Sequence, residues 1–215
     1  MSRPIIVLTS TVNINHYKCC IVQVNSKDRV EAYLKSVRQW LEKTNLKIIL
    51  VENSGYTFPE LEEERNKFKD RFEIISFNEL DVPEADYLKR NNSKGASEIF
   101  EIVYAAKNSK IIQTSTFLIK VTARFFIPDL EEYLKAHNLD EYDCLTQNNP
   151  DRCEMIGCHH RNFSHVFDLN VKRLDGWIEY EYKDRVSSLD KKLVCQPFPI
   201  EKTARGGAPE FYTEI

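Results

Sequence analysis

Short apolar runs alternate along this chain with longer segments whose apolar positions recur every three or four residues. That is the pattern of buried strands separated by amphipathic helices. Pro4 to Ser10, PIIVLTS, reads as a buried strand whose end turns polar at Thr9, Ser10, Thr11 and Asn13. The apolar run Cys19 to Val24 fits either a strand or the buried part of a loop, and periodicity does not choose between them. Ser26 is placed to cap a helix over Lys27 to Lys43, with Val30, Tyr33, Leu34, Val37 and Leu41 as its apolar stripe. Leu46 to Val51 then reads as a parallel strand ending at Glu52-Asn53-Ser54-Gly55, which completes a β–α–β unit. A charged amphipathic helix over Pro59 to Lys69 leads to a third strand, Phe72 to Phe77, and Asn78 to Asn92 reads as a polar loop over the sheet's carboxyl edge.

The next helix opens with Lys94-Gly95-Ala96-Ser97-Glu98 and continues through Ile99, Phe100, Ile102, Val103, Tyr104 and Ala106. Gly95 as N-cap puts Glu98 at the third helical position. Small residues at such a start let phosphates approach exposed backbone amides. The G-x-x-x-x-G-K-[ST] pattern is absent, which argues against phosphate-loop ATP or GTP hydrolysis. In Phe117 to Leu130, FLIKVTARFFIPDL, an apolar strand carries Lys120, Thr122 and Arg124 at alternating positions, so a period of two sends all three to one face. A central strand with such a row aims it into a cleft that holds an anion, unless the stems of Lys120 and Arg124 merely cover a neighbouring helix. A short helix, Leu130 to His137, and two strands, Tyr142 to Gln147 and Arg152 to Cys158, follow. The segment Pro197 to Ile215, with Gly206-Gly207, lacks periodicity and reads as a flap or tail whose Arg205 either reaches a phosphate or lies in a solvated arm. The predicted fold class is α/β, a single domain with a mostly parallel central sheet and helices on both faces.

The 215 residues suffice for one sizeable core. Lys+Arg 30 against Asp+Glu 33 leaves a net charge of −3, which provides no overall basic field for a nucleic-acid backbone. No apolar run approaches a transmembrane span and none resembles a signal-peptide core, so the expectation is a soluble, cytoplasmic protein. The six cysteines show no framework spacing and read as reduced thiols. Cys153, Cys158, His159, His160 and His165 do not match the common zinc spacings. Asp81 and Glu84 are too few donors for an oxygen-ligand metal site.

The succession of the Asn53-Ser54-Gly55 strand end, the Lys94-Gly95-Ala96-Ser97-Glu98 helix, Asn108-Ser109-Lys110 and the Lys120-Val121-Thr122-Ala123-Arg124-Phe125 strand resembles glycosyltransferases of the GT-A type, known from polysaccharide loci and large viruses. In that group the last segment runs lysine, aliphatic, threonine, glycine, arginine, aromatic; here Ala123 stands for the glycine. The resemblance runs from Ile5 to Arg205-Gly206-Gly207 and implies a nucleotide-binding half over residues 1–110 and an acceptor half with the C-terminal tail over 111–215. It implies transfer of a hexose or pentose from a nucleotide-diphosphate sugar to a glycan or glycoprotein. Thr9 and Ser10 would touch base or ribose, Asn53 the ribose, and Lys94, Gly95 and Glu98 the sugar-diphosphate side. Many GT-A enzymes hold a divalent ion such as manganese with Asp-x-Asp, yet this sequence has no such motif. Where it would stand, Lys120, Thr122 and Arg124 offer charge-assisted hydrogen bonds to the diphosphate instead. Metal dependence is left open. Glycosyl transfer needs a base for the acceptor proton, and Glu154 and Glu179 are the two candidates, the latter among Trp177, Tyr180 and Tyr182. Two other readings stand beside this one. A sugar nucleotidyltransferase would need a glycine-rich basic N-terminal loop, which TSTVNIN is not; a non-catalytic nucleotide-sugar or glycan-binding domain is favoured by the missing metal motif and opposed by the retained cationic row.

Overall fold

A computed structural model describes residues 3–168, 170 and 177–215. The predicted strands appear as β1 (Pro4–Ser10), β2 (Lys47–Glu52), β3 (Phe72–Ser76), β4 (Phe117–Thr122), β5 (Cys144–Thr146) and β6 (Met155–His159), joined by β7 (Lys192–Val194). They form one sheet in the order β3-β2-β1-β4-β6-β5-β7. The first four positions are parallel, while β6 runs antiparallel to both β4 and β5. Helices α1 (Ser26–Lys43) and α3 (Lys94–Asn108) cover opposite faces; α2 (Glu62–Lys67), α4 (Leu130–Lys135), α5 (Phe163–Phe167) and α6 (Ile178–Ser187) are shorter.

The two-residue period sorts the core into two layers. Ile6, Leu8, Ile48, Leu50, Ile119 and Val121 meet Tyr33, Val37, Trp40 and Leu41 of α1. Ile5, Val7, Ile49, Val51 and Leu118 meet Ala96, Ile99, Ile102 and Val103 of α3. Strands covered on both faces need apolar residues at nearly every position, which is why β1 and β2 read as continuous apolar runs.

Several expectations change in detail. Asn25, not Ser26, caps α1, its side chain accepting from the amides of Lys27 and Asp28. Ser93, not Gly95, caps α3 through the amide of Ala96. In both cases the residue one or two places upstream holds the extended backbone that a cap requires. Residues 19–24 form no strand and belong to the long loop between β1 and α1. The segment beginning at Pro59 is a single 3-10 turn, Pro59–Leu61, followed by α2. β4 stops at Thr122, so Arg124 sits in a turn rather than on the strand. The aperiodic C-terminal segment forms an antiparallel hairpin, β8 (Pro199–Ala204) with β9 (Phe211–Glu214). No helix among the described residues is long and apolar enough to cross a membrane.

Candidate functional site

The carboxyl ends of β1, β2 and β4, the first turns of α3 and α6, the loop over residues 11–25 and the tip of the C-terminal hairpin enclose one cleft of about 490 Å³. A volume of this order suits a small-molecule ligand. Thr9, Ser10, Asn53, Lys94, Gly95, Glu98, Lys120, Thr122, Arg124, Glu154 and Glu179 all line it. The open end of a parallel sheet is where such convergence is expected, because each strand delivers its terminal side chains to the same edge.

Lining the cleft is not the same as facing a ligand. The Ser10 hydroxyl donates to Val51 O at 2.8 Å and its amide to Glu101 Oε1 at 2.8 Å, so Ser10 joins β1 to β2 and α3. Thr9 Oγ1, Asn53 Oδ1 and Ser97 Oγ, by contrast, are buried without a protein partner. Buried polar groups are rarely left so. Three of them line one cleft and leave hydrogen-bonding capacity there for water or a ligand.

Lys120 also departs from its expected place. It is fully buried on the α3 side of β4, its ammonium 2.7 Å from Glu98 Oε1, donating to Cys153 O at 2.7 Å and to Thr122 Oγ1 at 3.3 Å. An ammonium has three donors. All three are taken within the protein, and Glu98 is consumed by the same pair. Burial pulls the Lys120 pKa down, but Glu98, with lesser help from Cys153 and Glu154, outweighs it and holds it above the ordinary value.

Arg124 has the freedom Lys120 lacks. Its turn is pinned by Ala123 N on Thr9 O at 2.9 Å, Phe125 N on Thr122 O at 3.0 Å and Trp40 Nε1 on Phe125 O at 2.9 Å. Ala123 replaces the glycine of the resembling group without strain, since it is not among the positive-φ residues. No carboxylate pairs with the Arg124 guanidinium among the described residues. Among the described residues the Lys94 ammonium reaches only Cys20 O, at 3.5 Å. Both cations lie under the hairpin tip. A Cβ on Gly206 would fall 2.2 Å from Arg124 Nη1, and one on Gly207 2.5 Å from Lys94 Nζ. The tip is tied to the long loop by Val22 N on Gly206 O at 2.9 Å. Gly95 lets α3 and α6 pack closely, because a Cβ there would lie 2.3 Å from the Ile178 Cβ of α6.

The two candidate bases differ in how they are held. Glu154 accepts from Arg152 Nε at 3.1 Å. Burial pushes its pKa up, yet Arg152, a backbone amide, Lys120 and the Tyr212 hydroxyl together hold it below the usual carboxylate range. Arg152 also stacks on Tyr212 at 3.9 Å, so this carboxylate anchors the hairpin. Glu179, in the first turn of α6, faces the cleft with no cation paired to it among the described residues.

Arg29 and Glu101 line the cleft but carried no functional signal in the sequence. Arg29, on the inner side of α1, donates to Thr11 O at 2.5 Å, Gln23 O at 3.0 Å and the Tyr33 hydroxyl at 2.7 Å, closing the long loop. Its position one turn before Tyr33 on the apolar stripe was the available clue. Trp177 is 56% exposed at the rim. Glu101 is buried at the floor, and burial raises its pKa well above the ordinary range, with Glu52, Glu98 and Glu79 adding to the effect against the Ser10 amide.

These carboxylates do not suit a divalent ion. Glu98 is paired with Lys120, Glu154 with Arg152 and Glu79 with Lys18 at 3.8 Å, while Glu101 is disfavoured as an anion. The end of β4 and the turn after it present Thr122 and Arg124 to the cleft, and neither is an acid. Among the described residues no group of three or more His, Cys, Asp or Glu is arranged to hold a metal. Cys153 is buried against Lys120, and His165 Nε2 donates to Arg185 O at 2.7 Å and lies 3.0 Å from the Ser188 hydroxyl instead of converging with His159 and His160.

No family model matches the chain. No curated protein matches it by sequence either. Solved structures do share its architecture. A candidate nucleotide-diphospho-sugar transferase from Desulfovibrio desulfuricans is 16% identical, with a TM-score of 0.50 over 91% of this chain and 80% of its own. The glycosyltransferase GlyE of Streptococcus pneumoniae is 11% identical, with a TM-score of 0.54 over 91% of this chain but only 45% of GlyE. At these identities the likeness is one of fold alone, the α/β fold that this chain shares with those two structures.

Proposed function

We propose that the protein is a glycosyltransferase that binds a nucleotide-diphosphate sugar in the 490 Å³ cleft and transfers the sugar to a hydroxyl of a glycan or glycoprotein. The observation that carries this reading is the pairing, within one cleft, of three buried polar atoms, on Thr9, Asn53 and Ser97, with two cations, Lys94 and Arg124, that among the described residues lack protein partners and carboxylates respectively. Polar nucleoside and anionic diphosphate are the two halves of such a donor. Thr9 and Asn53, at the ends of β1 and β2, take the nucleoside. Lys94 and Arg124 take the diphosphate and stabilise the charge that develops on it as it leaves, the electrostatic task a metal performs elsewhere.

Chemistry then requires one proton transfer. The acceptor oxygen attacks the anomeric carbon, the bond from that carbon to the diphosphate breaks, and a carboxylate removes the hydroxyl proton. Glu179 is the better placed of the two candidates, because Glu154 is already engaged by Arg152 and Tyr212. Trp177 at the rim offers an aromatic face to a sugar ring.

A thermal-shift panel of UDP, GDP and their sugars, with EDTA and with manganese, tests the proposal. A nucleotide at one hundred times its Kd stabilises the native state by about 2.7 kcal/mol, or roughly 5–10 °C for a chain of this size. Stabilisation in EDTA is expected. Absence of any shift, or crystallographic density for the nucleotide away from Thr9, Asn53 and Arg124, would overturn it.

A further inference from the structure

A second groove, of about 470 Å³, lies between α1 and β8 and shares Arg124 with the donor cleft as a common wall. Its charge is one-sided. Lys35, Lys43, Lys202 and Arg124 line it, and among the described residues Glu201 is its only carboxylate. Glu201 is engaged with Lys35, while Lys43 rests over the Phe126 ring at 5.5 Å and Lys202 over Phe211 at 4.7 Å. A concentration of cations on a chain whose net charge is −3 is a local field, not a reflection of composition.

A second, independent feature points the same way. Ser36, 2% exposed, lines this groove, and its hydroxyl has no partner. Mid-helix serines ordinarily bond back to the preceding turn or face water. An unsatisfied buried hydroxyl is destabilising, so Ser36 gains nothing for the fold by being there. The remaining lining supplies neutral amides and a hydroxyl from Gln23, Gln39 and Thr203 beside the apolar faces of Phe126 and Pro128. Hydrogen-bonding groups next to a flat apolar wall match a sugar ring, and the lysines match an acidic substituent on it.

We infer that this groove is an acceptor subsite for an acidic saccharide, one bearing a phosphate or a uronic carboxylate, which Arg124 sets beside the donor. The inference rests on the glycosyltransferase reading for the word acceptor, but the binding itself can be tested without it. Acid groups would sit among Lys43, Lys202 and Arg124, with a ring hydroxyl bonded to Ser36 Oγ.

Calorimetric titration of the whole protein at low ionic strength with glucose 6-phosphate, glucuronic acid, glucose and inorganic phosphate decides the matter. The acidic saccharides are expected to bind about tenfold or more tightly than glucose or phosphate, the effect of one added charge-assisted contact. The exposed pair of changes Lys43→Gln and Lys202→Gln should remove that preference while leaving UDP or GDP affinity unchanged. Ser36→Ala should weaken saccharide binding without lowering Tm, whereas a purely structural serine would lower Tm and leave binding alone. Equal binding of phosphate and glucose 6-phosphate, no binding of either acidic saccharide, or unchanged binding in the double variant would each overturn the subsite. Saccharide binding in a protein that binds no nucleotide would keep the groove and refute the transferase reading.

Discussion

Replacing Lys120 by methionine tests the assignment of this residue to the fold instead of the ligand. The side chain is fully buried, its ammonium 2.7 Å from Glu98 and from Cys153 O. Methionine fills similar space but leaves the Glu98 carboxylate without a counter-charge. Removing one partner of a buried ion pair costs ~3–5 kcal/mol. With roughly 2–4 °C per kcal/mol for a chain of this length, Tm should fall by roughly 6–20 °C. Adding Glu98→Gln removes the stranded charge, so the double variant should recover much of the loss, a coupling that a double-mutant cycle reads directly. The pH dependence has a definite sign. The Lys120 pKa is raised in the folded state above its ordinary 10.5. The pair's contribution is therefore complete below that value and is lost as pH rises through the folded one. Thermal denaturation followed by circular dichroism between pH 7 and pH 11 measures both effects, those pH limits being set by the titration range of lysine, about 10.4. A Lys120→Met protein melting within about 2 °C of the parent, less than 1 kcal/mol, would refute the argument and return Lys120 to the diphosphate.

Other consequences separate ligand contacts from scaffold. Arg124→Ala should leave Tm nearly unchanged and weaken nucleoside-diphosphate binding by roughly tenfold to a hundredfold, the loss of a contact of ~1.5–3 kcal/mol; unchanged affinity by calorimetry would remove Arg124 from the site. Gly206→Ala places a methyl 2.2 Å from Arg124 Nη1 and must displace the guanidinium, so it should reproduce part of that loss, and normal affinity would show the hairpin tip to be a bystander. Glu179→Gln should cut turnover by ~10²-fold or more with donor affinity intact, whereas Glu154→Gln should chiefly loosen the hairpin; equal activity of both variants with the parent would exclude both as bases. Glu101 has its pKa raised mainly by burial, so the folded state holds a proton that the unfolded chain releases above its ordinary 4.5. Stability attributable to it falls as pH rises from that value towards the folded one. Glu101→Gln should accordingly gain on the parent in urea denaturation at pH 8 compared with pH 4, and an equal difference at both would contradict the raised pKa.

The sequence by itself determined most of the frame. Short, nearly continuous apolar runs located β1 to β6, and the stripes on α1 and α3 located the two covering layers, because a strand buried on both faces and a helix buried on one each leave their own apolar pattern in the chain. The polar strand ends of Thr9 and Asn53 were legible because each interrupts an apolar run at its carboxyl end, whereas Arg124 read as part of the strand and its turn did not show. The C-terminal hairpin was not legible, since its strands have no continuous apolar face and depend on contacts with α1, Arg124 and the long loop. Tertiary structure alone decided which polar groups serve the fold. Lys120 and Arg124 differ in the sequence only by position in one alternating row, yet Glu98 of α3 pairs with the first and, among the described residues, no carboxylate pairs with the second. Ser10 and Thr9 are neighbours, and only the adjacency of β2 consumes the hydroxyl of one and leaves the other free. A charge or hydroxyl is spent or available according to what a distant segment brings within about 3 Å, and that distance is a property of the packed chain, not of its order.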